Sequence, residues 1–138
     1  MPETQTVLYR GIGIDHAHRL IEKGRDAADR MGLRAVFAVL DAGANMVAFV
    51  RMDGAWLASH DLAVAKARTA VMFQSPSEAL STPVQPGQPL PHFDHISGLL
   101  LMGGGMPVFD EAGVLIGGIG VSGGTPDQDA EVARAAFG

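Results

Sequence analysis

Residues Met102–Ala136 read MGGGMPVFDEAGVLIGGIGVSGGTPDQDAEVARAA. Glycine clusters here at 103–105, 117–118, 120 and 123–124. A chain uses glycine this densely where the backbone takes positive φ or comes very close to something else: a phosphate, a flat cofactor, a substrate or a neighbouring strand. Between the clusters, Val114–Val121 is β-prone and predicts the longest strand. Asp110-Glu111-Ala112-Gly113 before it is turn chemistry, which joins it to a short strand over Met106–Phe109. Pro126 suits a first helical turn and predicts a last helix through Ala136.

Working back toward the N-terminus, the pattern repeats. Ala35–Leu40 reads as a buried strand, Asp41-Ala42-Gly43-Ala44-Asn45 as a hairpin turn, and Met46–Met52 as the returning strand. LDAGANMVAF and FDEAGVLIGG share this turn chemistry without forming an internal repeat. Before the first hairpin, Ile14, Ala17, Ile21, Gly24, Ala28 and Met31 recur at helical spacing, with Asp15 or Thr6 as the cap and Gly32 as the stop. After it, Asp53-Gly54 ends the strand, Ser59 or Asp61 caps a helix over Leu62–Phe73, and Ala63, Ala67 and Ala70 form a small-residue spine. Ser75–Glu78 starts a short third helix. Residues 82–95, with four prolines and two histidines, form a loop, and Ile96–Met102 a further short strand. Hairpins mean antiparallel pairing. The expected fold is α+β, one domain over residues 1–138, with an antiparallel sheet of about five strands and helices packed on it.

Composition narrows the function. The 138 residues suit one domain able to bury a core, and that core is aliphatic, with 47% hydrophobic but 6% aromatic residues. A net charge of −5 with no basic run argues against nucleic acid. With no cysteine, disulfides and thiolate chemistry are excluded. MPETQTVLYRG is not a signal peptide, and no apolar run spans a bilayer, so the expectation is a cytoplasmic protein without a membrane partner.

The segments LDAGANMVAFVRMDGA, SHDLAVAKARTAVMF and GGGMPVFDEAGVLIGGIGVSGGTPDQDAEVARAA resemble the GlcG/HbpS family over residues 14–137. That family includes the C-terminal domain of PduO-type cobalamin adenosyltransferases. The resemblance rests on Arg51-Met52-Asp53-Gly54-Ala55, on Lys66-Ala67 with Thr69-Ala70, and on Gly120-Val121-Ser122-Gly123-Gly124. It implies a profilin-like α/β sandwich, homo-oligomers, and heme binding of the kind established for some members.

Several constellations can carry chemistry. Asp53-Gly54, between a strand and a helix N-terminus, is a natural anion site, with Arg51 as a bidentate partner; alternatively Arg51 and Asp53 form an ion pair that fixes the turn. Ser122, Gly123 and Gly124 offer N–H donors and a hydroxyl to a ligand, or form only a tight turn. This loop is neither a dinucleotide fingerprint nor a Walker loop. Lys66 on an alanine-rich helix is a base, an anion partner or a snorkelling side chain. With cysteine ligation impossible, the histidines are the key to heme binding. His16 and His18 point different ways; His60 precedes the second helix; His92 and His95 flank Asp94 on the loop, where they can hold a metal. The Pro2 amine is a conceivable base. Asp127, Asp129 and Glu131 crowd a helix start, where the dipole favours acids.

Three functions follow. The first is a protein that binds heme or a related ligand in a homo-oligomer. The second is an isomerase, hydratase or deaminase-like enzyme acting on a small organic acid or carbonyl compound, with Arg51 holding the anion and His60, Lys66 and His92 as acid–base groups. The third is an assembly subunit.

Overall fold

The computed structural model describes residues 5–138, so Pro2 lies outside the described residues. Helix α1 (Ile14–Arg30) leads to strands β1 (Val36–Asp41) and β2 (Met46–Arg51), then α2 (Ala58–Phe73). Two 3₁₀ turns, Ser77–Leu80 and Phe93–His95, precede β3 (Gly105–Phe109), β4 (Leu115–Ser122) and α3 (Pro126–Ala135). The strands form one antiparallel sheet in the order β2-β1-β4-β3. The class is α+β as expected, but the described residues give four strands where the sequence predicts about five. Ile96–Met102 is the missing one. Its backbone is tied to side chains instead of a strand: Leu100 N–H donates to Thr69 Oγ1 (2.8 Å), and the Met102 carbonyl accepts from Ser77 Oγ (2.6 Å).

Helices cover both faces of the sheet. α1 and α3 lie on one face, where Phe37, Val39, Ile119, Val121 and Val132 are fully buried with Leu20 and Ile21. α2 lies on the other. Here Gly118 and Gly120 of β4 stand beside Leu40 and Ala38 of β1. A Cβ at Gly120 would overlap the Ala63 carbonyl oxygen, and one at Gly118 would meet Val71 at 2.8 Å. Gly118 and Gly120 therefore serve close approach of the alanine spine of α2 to the sheet, a neighbour that the glycine clustering had left unidentified.

The helix ends depart from the sequence reading. Gly13, not Thr6 or Asp15, precedes α1. α2 starts at Ala58 behind Leu57, with no side-chain cap, so Ser59 and Asp61 sit inside its first turn. α3 begins with Pro126 at its first position, as expected, behind a Thr125–Gln128 capping box. No helix among the described residues is long and apolar enough to cross a membrane.

Candidate ligand cleft

A cleft of about 610 Å³ opens where the β2–α2 turn, the start of α2 and the β4–α3 loop meet. Its position follows from the α2–β4 seam. Ala63 sits over Gly120; one helical turn back is Ser59, and two residues along the strand is Ser122. The seam thus ends in two serines, which are 5% and 4% exposed and line the cleft. Among the described residues neither hydroxyl has a hydrogen-bond partner, yet neither is sealed from solvent. Their residual exposure is to the cleft.

The β4–α3 loop is held from below by a buried ion pair. Lys66 of α2 and Asp129 of α3 are each 2% exposed and meet at 2.8 Å. Asp129 Oδ1 also accepts from the amides of Gly123 (3.0 Å) and Gly124 (2.7 Å), and Lys66 Nζ donates to the Val121 carbonyl (3.1 Å). Both charges are therefore fully engaged. This corrects two expectations. The Gly123 and Gly124 amides are spent on Asp129 and are not free ligand donors, although both residues line the cleft. Lys66 is a structural cation and does not line the cleft.

Arg51 and Asp53 are also placed differently from the expectation. No ion pair joins them among the described residues, and neither lines the cleft. Asp53 borders a separate depression with Arg25 and Asp29. The arginine at the cleft is Arg34, whose Cγ and Cδ lie beside Gly54 while its guanidinium reaches Asp29 (3.3 Å) in the adjoining depression. Gly54 does line it, at φ 83°. Trp56, 82% exposed, forms an apolar rim with Leu33 and Leu62.

Residues 12–137 match the family described as haem degrading protein HbpS-like. The chain belongs to the HbpS-like family. It is 35% identical over 137 residues to the corrinoid adenosyltransferase PduO of Salmonella typhimurium, covering 99% of this chain but 41% of that protein's length. The Klebsiella pneumoniae protein ORFY superposes with a TM-score of 0.89 at 32% identity, over 99% of this chain and 94% of that one. A crystal structure of PduOC in complex with heme superposes with a TM-score of 0.85 at 32% identity, over 92% and 93% of the two chains.

In this HbpS-like chain the histidines stand apart. His60 stacks on Phe49 (ring centroids 4.4 Å), with Nδ1 3.5 Å from Asp61 Oδ1 and a side chain 53% exposed. His92 and His95 lie 6.0 Å apart by ring centroid, and His95 Nε2 is 3.4 Å from Asp94. No group of three or more metal-ligating side chains gathers there or elsewhere among the described residues. Phe93 packs on Phe73 at the far end of α2 (6.0 Å). Thirteen residues, about 20 Å of helix, separate Phe73 from His60. His60, Lys66 and His92 therefore do not converge on one small substrate.

Trp56, Arg34 and Asp129 escape the sequence reading. For Asp129 a signal exists: the helix-start acids Asp127, Asp129 and Glu131 sit two apart, so one of them must turn inward.

Proposed function

We propose that this chain binds heme on its open surface, through a histidine, as a cytoplasmic homo-oligomer. The observation that carries the reading is the likeness to PduOC, whose structure was solved as a heme complex, over nine-tenths of this chain. The donor set agrees with it in part. Cysteine is absent, and the cleft offers hydroxyls, an amide and a guanidinium but no imidazole. The iron ligand we assign is a histidine, and it lies outside the cleft.

Two surfaces offer one. Asp61 and Phe49 orient the His60 ring while its Nε2 stays unengaged among the described residues, and the strongly exposed Leu57 lies within a turn of it. His16 borders a small depression with Arg19, Lys23 and Phe137, which pairs an imidazole with cations suited to propionates. Bound heme would supply iron-centred redox chemistry; the chain's part is to hold the macrocycle and present the imidazole. Exposed apolar side chains such as Leu8, Tyr9 and Leu57 support self-association, which would bury them. The enzyme reading gains no support, since its acid–base groups are dispersed.

The test is a hemin titration of the purified protein, followed at the Soret band, with five single variants: His16→Ala, His18→Ala, His60→Ala, His92→Ala and His95→Ala. The expected result is a saturable, near-stoichiometric shift that one variant loses. A weak, non-saturating change common to all five would overturn the proposal.

A further inference from the structure

The cleft has a chemistry of its own. Among the described residues, no aspartate or glutamate lines it. Its polar groups are donors or can act as donors. Ser59 and Ser122, 5% and 4% exposed, present hydroxyls that have no partner among the described residues and open only to the cleft. Gln128 accepts from the Thr125 amide through Oε1, which leaves its Nε2 available. Arg34, whose side-chain stem passes Gly54, is the one charged residue of the lining; its guanidinium rests on Asp29 of the adjoining depression through an exposed 3.3 Å contact, from which it can turn to the cleft. The start of α2 adds the positive end of a helix dipole and has no side-chain cap. Trp56 and Leu62 add apolar surface to the same lining.

We propose that this cleft binds a small monocarboxylate with a flat, apolar body, at a site separate from the heme surface. The carboxylate takes hydrogen bonds from the Ser59 and Ser122 hydroxyls and pairs with Arg34. The apolar body lies against Trp56 and Leu62. A single guanidinium among neutral donors balances one negative charge, which favours a carboxylate over a phosphate dianion. About 610 Å³ falls in the usual range for small-molecule sites, roughly 300–1,000 Å³.

Trp56 is the only tryptophan of the chain, so its fluorescence reports on the cleft directly. The probes are phenylacetate and its neutral isostere phenylacetamide, titrated into the full chain. The expected result is a saturable change of Trp56 emission with phenylacetate and a response at least about tenfold weaker with the amide. Arg34→Gln and Ser122→Ala are each expected to weaken phenylacetate about tenfold while the far-UV circular dichroism is unchanged. Neither substitution adds volume to the core. A non-saturating response, equal binding of amide and acid, or unweakened binding in both folded variants would overturn the proposal. The Soret response of Arg34→Gln to hemin is expected to match the wild type. Loss of hemin and phenylacetate binding together would make the cleft a propionate subsite and overturn the separate site.

Discussion

The two faces of the sheet are built on opposite plans. Under α1 and α3, the core is volume: Phe37, Val39, Ile119 and Val121 interlock with Leu20, Ile21 and Val132. Gly24 of α1 makes room for the Phe37 ring, which a Cβ there would meet at 2.6 Å. Under α2, the interlocking side chains are smaller: Val36, Ala38 and Leu40 of β1 meet Ala63, Ala67 and Val71, and the helix backbone comes down on the sheet at Gly120. The first face has many dispersion contacts to rearrange when one is altered. The second is built of smaller side chains packed close to backbone, and is fastened at its open end by the Lys66–Asp129 pair. The ligand cleft opens beside that fastening, between Ser59 and Ser122. A face with less side-chain volume leaves room for a site, provided polar contacts hold its walls.

The largest test of that contrast is the ion pair. Asp129→Ala leaves the Lys66 ammonium buried with only the Val121 carbonyl, and strands the Gly123 and Gly124 amides. The expected loss is about 3–5 kcal/mol, read from urea denaturation. Lys66→Met is expected to cost less, because Asp129 keeps both amide donors. If Lys66→Met proved the more damaging, the loop would be held by the cation, not by the carboxylate.

Next in size is the seam itself. Gly120→Ala forces a methyl onto the Ala63 carbonyl, a backbone atom that cannot swing aside. We expect a loss of about 3 kcal/mol, the upper end for overpacking. Tolerance of this change, measured by thermal and urea unfolding, would show that α2 can lift off the sheet and that the contrast between the faces is false.

Most of this frame was legible in the sequence, and the reason is local. Asp41–Asn45 and Asp110–Gly113 are turns by side-chain chemistry alone, and Pro126 marks its helix through its fixed φ. The strand expected over Ile96–Met102 failed because its backbone bonds are satisfied by Thr69 and Ser77, 31 and 25 residues away in the chain. The candidate site was half legible. Gly54, Ser122, Gly123 and Gly124 do line one cleft, but Arg34 takes the place foreseen for Arg51. Which arginine reaches a cleft depends on where chain segments cross, and residue types do not encode that. Asp129 looked like dipole decoration because its partners, Lys66 and the two amides, come from other elements.

A smaller comparison lies at the hairpin tips, where the two sequences rhyme. In each, an aspartate Oδ1 accepts from the amides two and four residues on: Gly43 and Asn45 for Asp41, Ala112 and Val114 for Asp110, all at 2.9 Å. The third residue after each aspartate has positive φ: Ala44 at 63° and Gly113 at 80°. Alanine is strained there and glycine is not. Gly113→Ala is expected to cost about 1–2 kcal/mol. Ala44→Gly relieves that strain but loosens the unfolded chain, for a net gain of about 0.5 kcal/mol. Opposite signs in a melting experiment are the point; equal signs would mean the two turns are not equivalent.

The smallest effect belongs to Asp110 itself. The Val114 amide does most to hold its carboxyl below the usual carboxylate value; partial desolvation opposes, and Arg10 and the Ala112 amide add to the lowering. A lowered native value means that the charged form stabilises the fold above the unfolded value of about 3.9, and that this support is lost as pH falls through the native value. Stability measured from pH 6 downward should therefore decline in acid, and Asp110→Asn should flatten part of that decline. Arg10→Gln should raise the Asp110 midpoint seen by carboxyl NMR titration only modestly, since Val114 remains the main donor and the Arg10 contact (3.1 Å) is solvent-exposed. A midpoint that returned to the ordinary carboxylate value in Arg10→Gln would show that the ion pair, and not the turn's own amides, sets this carboxylate. The likeness of the two hairpins would then stop at their backbones, because Asp41 has no matching arginine among its described contacts.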